Sequence, residues 1–183
     1  PVLVSIQQIG GDIKILISND MLQELDGTVE FGQRTIYGVT IWKKKLSGVV
    51  IGQNSSVEIA TIRNLVEEAP DSYLFARFAC KVYKAETTFF PELWKDIDWQ
   101  EPGLSYKVLK ETNLEGQFEK IIEVSSRLYA RMVNINLPGS IYSHLSDNFF
   151  DIEAGETKVL TIVTEENYNC NELKLDHWLT QWV

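Results

Sequence analysis

Few side chains in this sequence have the types and spacing that catalysis or metal binding requires. The chain has two histidines, His144 and His177, and neither has a partner at the spacing that zinc ligands use. Ser143, His144 and Asp147 supply the residue types of a hydrolytic triad, but triads are assembled from residues distant in sequence. We therefore predict no catalytic residue, no metal site and no cofactor.

Aromatic side chains offer a different chemistry, because their rings can stack on the faces of sugars. The chain has five Trp and seven Tyr. Trp178 and Trp182 share parity in a run, Leu173 to Trp182, that is predicted to be a strand, so they would share one face. With Tyr142 and His144 they form the predicted set of carbohydrate contacts. The competing interpretation is that aromatic rings fill the cores and seams of a sandwich.

The composition excludes some classes of partner. The net charge is −9, with 26 acidic and 17 basic side chains, which argues against nucleic acid because phosphates are bound largely by Lys and Arg. We interpret the run Lys43-Lys44-Lys45 as a solvated strand edge. No apolar run approaches the roughly 20 residues that span a bilayer. Two cysteines, Cys80 and Cys170, do not make a disulfide framework, and a bridge between them is left open.

Period-two alternation predicts an all-β chain, since no stretch keeps a helical period. In the first part, roughly seven short strands with turns between them predict an immunoglobulin-like sandwich over residues 1–92. Gly10-Gly11 and Asp26-Gly27 are predicted to be turns. Ser72 to Tyr83 is the strongest predicted strand, and Trp42 is expected to face the core or a seam between sheets.

Residues 93–104 are the predicted linker, because prolines and a glycine interrupt the alternation there. Trp94 and Trp99 are expected to pin this connection to a sandwich or to a missing part of a parent protein. Residues 105–183 repeat the pattern and predict a second immunoglobulin-like sandwich. Within it, one predicted strand places five alternating residues on one face: Tyr129, Arg131, Val133, Ile135 and Leu137.

The segment from Ser143 to Glu156 combines apolar anchors with a turn. Phe149, Phe150 and Ile152 are the predicted anchors. The tetrapeptide from Glu153 to Glu156 predicts a turn in which Gly155 adopts a positive φ angle. The β-rich run from Thr157 to Thr164 follows as a strand.

Residues 146–156 read Ser-Asp-Asn-Phe-Phe-Asp-x-x-x-Gly-Glu, and this pattern resembles a segment of family 2 glycoside hydrolases of the β-mannosidase type. In that family the segment lies in the last immunoglobulin-like domain. The opening Pro-Val-Leu-Val-Ser and the linker resemble the same family at the level of pattern. Ile152-Glu153-Ala154 departs from the more typical Leu-Leu-Pro. That departure leaves the sugar open, since related enzymes acting on glucosamine chains have similar tails.

The resemblance implies two C-terminal accessory domains of a retaining β-mannosidase-like enzyme. Their partners would be the catalytic (β/α)₈ barrel and N-terminal domains of the same parent chain, together with its oligosaccharide substrate. The two catalytic carboxylates lie on that barrel in the family, so Asn171-Glu172, which matches the family's acid/base dipeptide, is expected not to act in catalysis. The loop from Gly139 to Asn148 is expected nearest the substrate.

The start at Pro1, without an initiator methionine, is interpreted as that of a piece cut from a longer polypeptide. The sequence does not fix the compartment. A bacterial parent would be periplasmic or secreted, and an animal parent would be lysosomal. Two other functions were also consistent with the sequence. One is a carbohydrate-binding sandwich that uses exposed tryptophans, and the other is a structural or adhesin-like spacer.

Overall fold

The computed structural model describes residues 2–63, 69–114, 116–139 and 141–180. Fourteen strands and two short 3-10 turns, Trp94–Asp96 and Cys170–Glu172, account for its regular structure, which confirms the all-β class. The chain forms two compact units. Unit 1 comprises Pro1–Thr35 and Val39–Asp98, and unit 2 comprises Ile36–Gly38 and Trp99–Val183. The domain limits predicted from the sequence, 1–92 and 105–183 with a linker at 93–104, stay a prediction.

Unit 1 has seven strands among its described residues, as the sequence suggested. They are β1 (Val2–Ile9), β2 (Asp12–Asn19), β3 (Leu25–Thr35), β4 (Thr40–Ile51), β5 (Ser55–Ile62), β6 (Ser72–Cys80) and β7 (Lys84–Phe89). Antiparallel pairing builds two sheets, β1-β2-β5 and β4-β3-β6-β7. Alternate residues such as Ile15 and Ile17 of β2 pack with Val29 and Phe31 of β3 in one buried cluster. The core therefore lies between the two sheets, as in an immunoglobulin-like sandwich.

The two glycine pairs that predicted turns behave differently. Gly10, with a φ of 63°, and Gly11 form the two-residue connection between β1 and β2, so that prediction is confirmed. Asp26-Gly27 is not a turn, because both residues lie inside β3. A Cβ atom on Gly27 would lie 2.6 Å from the Ala79 carbonyl oxygen on the neighbouring strand. Gly27 is therefore required by close packing within the sheet and not by a reversal of the chain.

One polar side chain of β3 links Trp42 of β4 to Ser72 of β6. Trp42 packs against the core, and its indole N–H donates to Gln33 Oε1 at 3.0 Å. The buried Gln33 amide in turn donates to Ser72 Oγ at 2.8 Å. β4 is an edge strand on which Lys43, Lys44 and Lys45 are exposed, as expected for an edge that resists pairing with other chains.

The connection after β7 is held by a residue that the sequence did not single out. Ile97 is buried, whereas Trp94 is 39% exposed. Trp99 is half-buried, with its ring centroid 6.2 Å from that of Tyr129. The two tryptophans that are expected to pin this connection therefore differ, since Trp99 is half-buried and Trp94 is exposed.

Unit 2 also has seven strands among its described residues. They are β8 (Ser105–Leu114), β9 (Gln117–Ser125), β10 (Ala130–Asn136), β11 (Ser143–Leu145), β12 (Phe150–Ile152), β13 (Thr157–Thr164) and β14 (Lys174–Asp176). They build the sheets β11-β13-β9-β8 and β12-β10-β14. Ile122 and Val124 of β9 and Leu160 and Ile162 of β13 pack with Val133 of β10 in a second buried cluster. The predicted strand from Thr157 to Thr164 is confirmed at both ends.

Two expectations about unit 2 are wrong. The five alternating residues from Tyr129 to Leu137 do not share a face, because the register of β10 against β12 shifts between Ala130 and Val133. Met132 lies in this irregularity with a φ of 49°, so Ala130 and Val133 both reach the core. The strand predicted from Leu173 to Trp182 ends at Asp176, and a turn follows in which the Thr180 N–H donates to the His177 carbonyl.

Candidate functional site

The segment that carries the family resemblance crosses from one sheet of unit 2 to the other. β11 pairs with β13, and β12 pairs with β10. Ser146, which follows β11, donates its N–H to the Thr161 carbonyl at 2.9 Å and accepts from the Thr161 N–H at Oγ at 3.0 Å. The pairing with β13 therefore extends one residue past β11 before the chain crosses to β12.

Asp147 and Asn148 fix the crossing itself. Asp147 accepts from the Asn148 N–H at 2.8 Å and forms an ion pair with Lys158 at 2.6 Å. Asn148 Oδ1 accepts from the Ile135 N–H at 3.0 Å, and its amide donates to Asn134 Oδ1 at 2.9 Å. Asn148 thus ties the crossing segment to the backbone of β10 at Ile135 and to the side chain of Asn134.

Asp151 holds the irregular part of β10. One carboxylate oxygen accepts from the Met132 N–H at 2.8 Å. The other accepts from the Tyr129 hydroxyl at 2.8 Å and from Arg131 Nη1 at 3.1 Å. A half-buried carboxylate with three donors is well suited to hold a bulge, since charge-assisted hydrogen bonds are the stronger ones.

The two adjacent phenylalanines have opposite roles. Phe150 is buried in the core, with Lys158 Nζ 4.5 Å from its ring centroid. Phe149 was predicted to be an anchor as well, and this is wrong: its side chain is 57% exposed. Its φ of 58° is unusual for a bulky residue and turns the side chain away from the core face.

The predicted turn at the end of the segment is confirmed. The Glu156 N–H donates to the Glu153 carbonyl at 3.0 Å, and Gly155 has a φ of 76°. The Gly155 N–H donates to the Ser126 carbonyl at 3.0 Å. The polar residues of the motif therefore act inside the fold, which explains the pattern without requiring them to touch a substrate.

The predicted carbohydrate contacts are only partly brought together. Tyr142 is 77% exposed directly before β11, and His144 is exposed on β11. His144 pairs with Val163 of β13, and Tyr142 lies two residues before it, outside the strand. Trp178 is half-buried in the turn after β14, and its backbone N–H donates to the Arg131 carbonyl at 2.9 Å. Trp182 lies outside the described residues.

A pocket of about 590 Å³ lies between two loops of unit 2. One wall is the β10–β11 loop, which contributes Pro138, Gly139 and Ile141. The other wall is the β13–β14 loop, which contributes Glu166, Asn167, Tyr168, Asn169 and Glu172. Sequence reasoning missed this second wall. The available signal was the lone Tyr168 within the polar run from Glu165 to Asn169, which indicates a loop pinned by one ring.

Tyr168 and Lys120 form a buried polar pair next to the pocket. Lys120 Nζ donates to the Tyr168 carbonyl at 2.6 Å, lies 4.2 Å from the Tyr168 ring centroid and forms an ion pair with Glu111 at 3.4 Å. Burial raises the pKa of Tyr168, and the neighbouring Cys170 and Glu111 raise it further. The Tyr168 hydroxyl is buried without a hydrogen-bond partner in the described part of the chain. The phenol therefore stays protonated at neutral pH.

The described residues offer little catalytic chemistry. Within ranges 2–63, 69–114, 116–139 and 141–180, no group of three or more His, Cys, Asp or Glu side chains could hold a metal ion. Glu172 of the Asn171-Glu172 dipeptide is exposed on a 3-10 turn, and both Cys80 and Cys170 are free thiols. Among the same residues, no helix has the length and apolar character needed to cross a membrane.

Comparison with known proteins identifies the type of domain. Residues 99–177 match the Ig_mannosidase model of an Ig-fold domain. The β-D-mannosidase of Dictyoglomus thermophilum has a similar structure, with a TM-score of 0.78 and 18% sequence identity over 97% of this chain. An exo-chitosanase of Amycolatopsis orientalis has a TM-score of 0.65 and 12% identity over 96% of this chain. No curated protein matches the chain.

These findings confirm the predicted resemblance to the C-terminal immunoglobulin-like domains of β-mannosidase-like family 2 glycoside hydrolases. At these identities the structural similarity shows the fold. The chain spans 21% of the mannosidase and 25% of the exo-chitosanase.

Proposed function

We propose that this chain is a non-catalytic pair of accessory domains of a β-mannosidase-like glycoside hydrolase, and that it supports the catalytic barrel of its parent protein. One observation carries the proposal: 97% of the chain superposes on only 21% of a β-mannosidase. The match of residues 99–177 to the Ig_mannosidase model supports it independently. The catalytic carboxylates, the sugar and the barrel all belong to the remaining part of such a parent.

The geometry of unit 2 suits a supporting role. Asp147, Asn148 and Asp151 tie the crossing segment to β10 and to Lys158, so the segment is held at several points along its length. A segment held in this way can present Tyr142 and His144 at a fixed position. We propose that the loop from Gly139 to Asn148 shapes the rim of the substrate pocket of the parent; of this loop, Ser140 lies outside the described residues.

The test uses the parent protein, obtained from the gene that encodes this chain. The full parent, the parent without this chain, and the 183-residue chain alone are assayed with 4-nitrophenyl β-D-mannoside and with the corresponding β-D-glucosaminide. We expect activity from the full parent, none from the chain alone, and loss of stability and activity from the truncated parent. Hydrolysis by the chain alone, or a truncated parent with full activity and stability, would contradict the proposal.

The role of the rim is tested separately. Tyr142→Ala combined with His144→Ala in the full parent is expected to raise KM several-fold and to leave the melting temperature unchanged, because both side chains are exposed. Leu22→Ala, at a residue of unit 1 that is 82% exposed, is the matched control and should change neither quantity.

A carbohydrate-binding module is the second candidate, and one observation favours it. Tyr142, directly before β11, and His144 within it are both exposed and could receive a sugar ring. Such a module would bind glycan without the parent, whereas an accessory domain that only supports the barrel would not. Saturable binding of β-1,4-mannotriose to the chain alone, abolished by His144→Ala, would favour this candidate.

A further inference from the structure

The open pocket between the β10–β11 and β13–β14 loops has the volume of a small-ligand site. Its volume of about 590 Å³ falls within the range of about 300–1,000 Å³ that is usual for small-ligand sites. It is lined by both apolar and polar side chains, with Ile141 on one wall and Glu166, Asn167 and Glu172 on the other. A mixed lining of this kind fits a ligand that has an apolar face and polar edges.

Tyr168 contributes to the wall of the pocket that the β13–β14 loop forms. This residue is only 6% exposed, yet its hydroxyl has no hydrogen-bond partner in the described part of the chain. Lys120 fixes the loop from within by its hydrogen bond to the Tyr168 carbonyl, so the wall is firmly placed.

The charge of the lining restricts the ligand. Glu166 and Glu172 bring carboxylates, Asn167 brings an amide, and neither Lys nor Arg lines the pocket. Glu166 and Asn167 side chains make no hydrogen bond to any described residue, so they can accept from, and donate to, a ligand. An anionic ligand would be repelled by the two carboxylates. A ligand with neutral hydroxyl groups, or with an ammonium group, would be attracted.

We propose that this pocket binds one sugar residue of an oligosaccharide, either uncharged or carrying an amino group. Glu166, Asn167 and Glu172 would hold its hydroxyl or amino groups, and Ile141 would pack against its apolar face. Tyr142 follows Ile141 directly and is 77% exposed, so it can stack on the next sugar residue. The inference stands on the pocket alone and does not depend on the accessory role of the chain.

The test is calorimetric titration of the 183-residue chain with three disaccharides in the presence of EDTA, which removes any contribution from a metal ion. The disaccharides are β-1,4-mannobiose, the β-1,4-linked dimer of glucosamine, and a dimer containing a uronic acid. We expect saturable binding of the first two and none of the third. The binding of the glucosamine dimer should weaken as salt is raised, because it includes an ion pair.

Variants assign the binding to the pocket. Glu166→Gln with Glu172→Gln should weaken the glucosamine dimer by at least about tenfold, and Asn167→Ala should weaken both ligands by several-fold. Glu165→Gln is the matched control, because Glu165 is exposed on the same loop and does not line the pocket. It should leave both affinities unchanged.

Three results would overturn the inference: no saturable binding of either dimer, binding that the pocket variants leave unchanged, or equal binding of the uronic acid dimer. Each variant is first checked for an unchanged melting temperature, so loss of binding is not confused with loss of the fold. A negative result here leaves the accessory role untouched, since that role is measured by the activity of the parent and not by glycan binding to the chain.

Discussion

The Asp151 carboxylate accepts the N–H of Met132, 19 residues earlier in the chain, at 2.8 Å. Met132 occupies a left-handed backbone conformation with a φ of 49°, which a non-glycine residue adopts only when its surroundings stabilise it. The same carboxylate binds the Tyr129 hydroxyl and Arg131. The Asp151 side chain therefore holds the bulge in β10, and this bulge determines which residues of β10 face the core.

Replacing Asp151 should accordingly destabilise unit 2. In Asp151→Asn one carboxylate oxygen becomes an NH₂ group, which cannot accept from the donors that the carboxylate now satisfies. We expect a loss of about 2–3 kcal/mol in the free energy of unfolding, measured by urea denaturation together with amide exchange in β10. Asp147→Asn is the matched control. Its ion pair with Lys158 is partly exposed and should contribute at most about 1 kcal/mol. Equal losses in the two variants would contradict the role assigned to Asp151.

Gly27→Ala should destabilise unit 1, although glycine is ordinarily a poor residue for a strand. The added Cβ would lie 2.6 Å from the Ala79 carbonyl oxygen and 2.7 Å from the Phe78 ring, so β3 and β6 would have to move apart. We expect a loss of about 1–3 kcal/mol in the free energy of unfolding, as is usual for overpacking. Gly11→Ala is the control, since nothing lies within 4 Å of its Cβ position. A neutral Gly27→Ala would show that the close approach is not rigid.

The ion pair between Lys14 and Glu58 predicts a pH-dependent contribution to stability. The hydrogen bond from Lys14, at 2.7 Å, and then that from Thr61 lower the pKa of Glu58 below its ordinary value of 4.5. Because the folded pKa is the lower one, the contribution is present above the unfolded pKa and is lost as the pH falls through the folded pKa.

Glu58→Gln should therefore lower the melting temperature slightly at neutral pH, and this effect should shrink as the pH falls below 4.5 and the wild-type carboxyl becomes protonated. Thermal unfolding of both proteins across this range measures the difference. If the difference in melting temperature between the wild type and Glu58→Gln grew as the pH fell, the direction of the pKa shift would be contradicted. Glu119→Gln, at another glutamate of a strand, provides the comparison for the loss of a negative charge alone.

Tyr168 predicts the opposite pH dependence. Burial raises its pKa above the ordinary value of 10.0, so its contribution to stability is full below pH 10.0 and is lost as the pH rises beyond that value. Tyr168→Phe removes a hydroxyl that has no partner among the described residues, so it should not lower stability at neutral pH.

At alkaline pH the wild-type protein should lose stability more steeply than the Tyr168→Phe variant. Unfolding at several pH values from neutral to about 11 measures this difference. Tyr142→Phe is the matched control, because Tyr142 is 77% exposed, and it should leave the alkaline slope unchanged. A Tyr168→Phe variant that is much less stable at neutral pH would show that the hydroxyl has a partner.

Phe149 leads to a prediction in the stabilising direction. A phenylalanine with a φ of 58° and an exposed side chain has a strained backbone and little compensating burial. Phe149→Asn places a residue that tolerates this conformation and should raise the free energy of unfolding by up to about 1 kcal/mol. Phe150→Asn, one residue further, should instead be strongly destabilising because Phe150 is in the core. A marked loss of stability in Phe149→Asn would show that the exposed ring makes a contact that matters.

The sequence predicts regular strands of unit 2 well because their pattern is local. In β13, Leu160 and Ile162 alternate with Thr161 and Val163, and the predicted and observed ends agree. The turn at Gly155 is likewise predictable, since a positive φ favours glycine. For such elements the residues that decide the structure lie within a few positions of each other.

The expectations that failed depend on partners distant in sequence. Asp26-Gly27 has the composition of a hairpin turn, but close packing against Phe78 and Ala79 decides its conformation. Which residues of β10 face the core depends on a bulge that Asp151 holds, and no pattern within β10 reveals this contact. The pocket joins two loops that are separated by β11, β12 and β13, so only the fold brings Ile141 beside Glu166.

The irregularity at Met132 has a consequence for anyone who transplants or shortens β10. The alternation of inward-facing residues changes at the bulge of β10. Ala130 faces the core from an even position, whereas Val133 and Ile135 face it from odd positions. If the bulge were lost while the length of the strand stayed the same, Val133 and Ile135 would face away from the core. A graft that carries β10 into another scaffold must therefore include Asp151 to hold the bulge, or omit one residue of the bulge so that the strand alternates regularly.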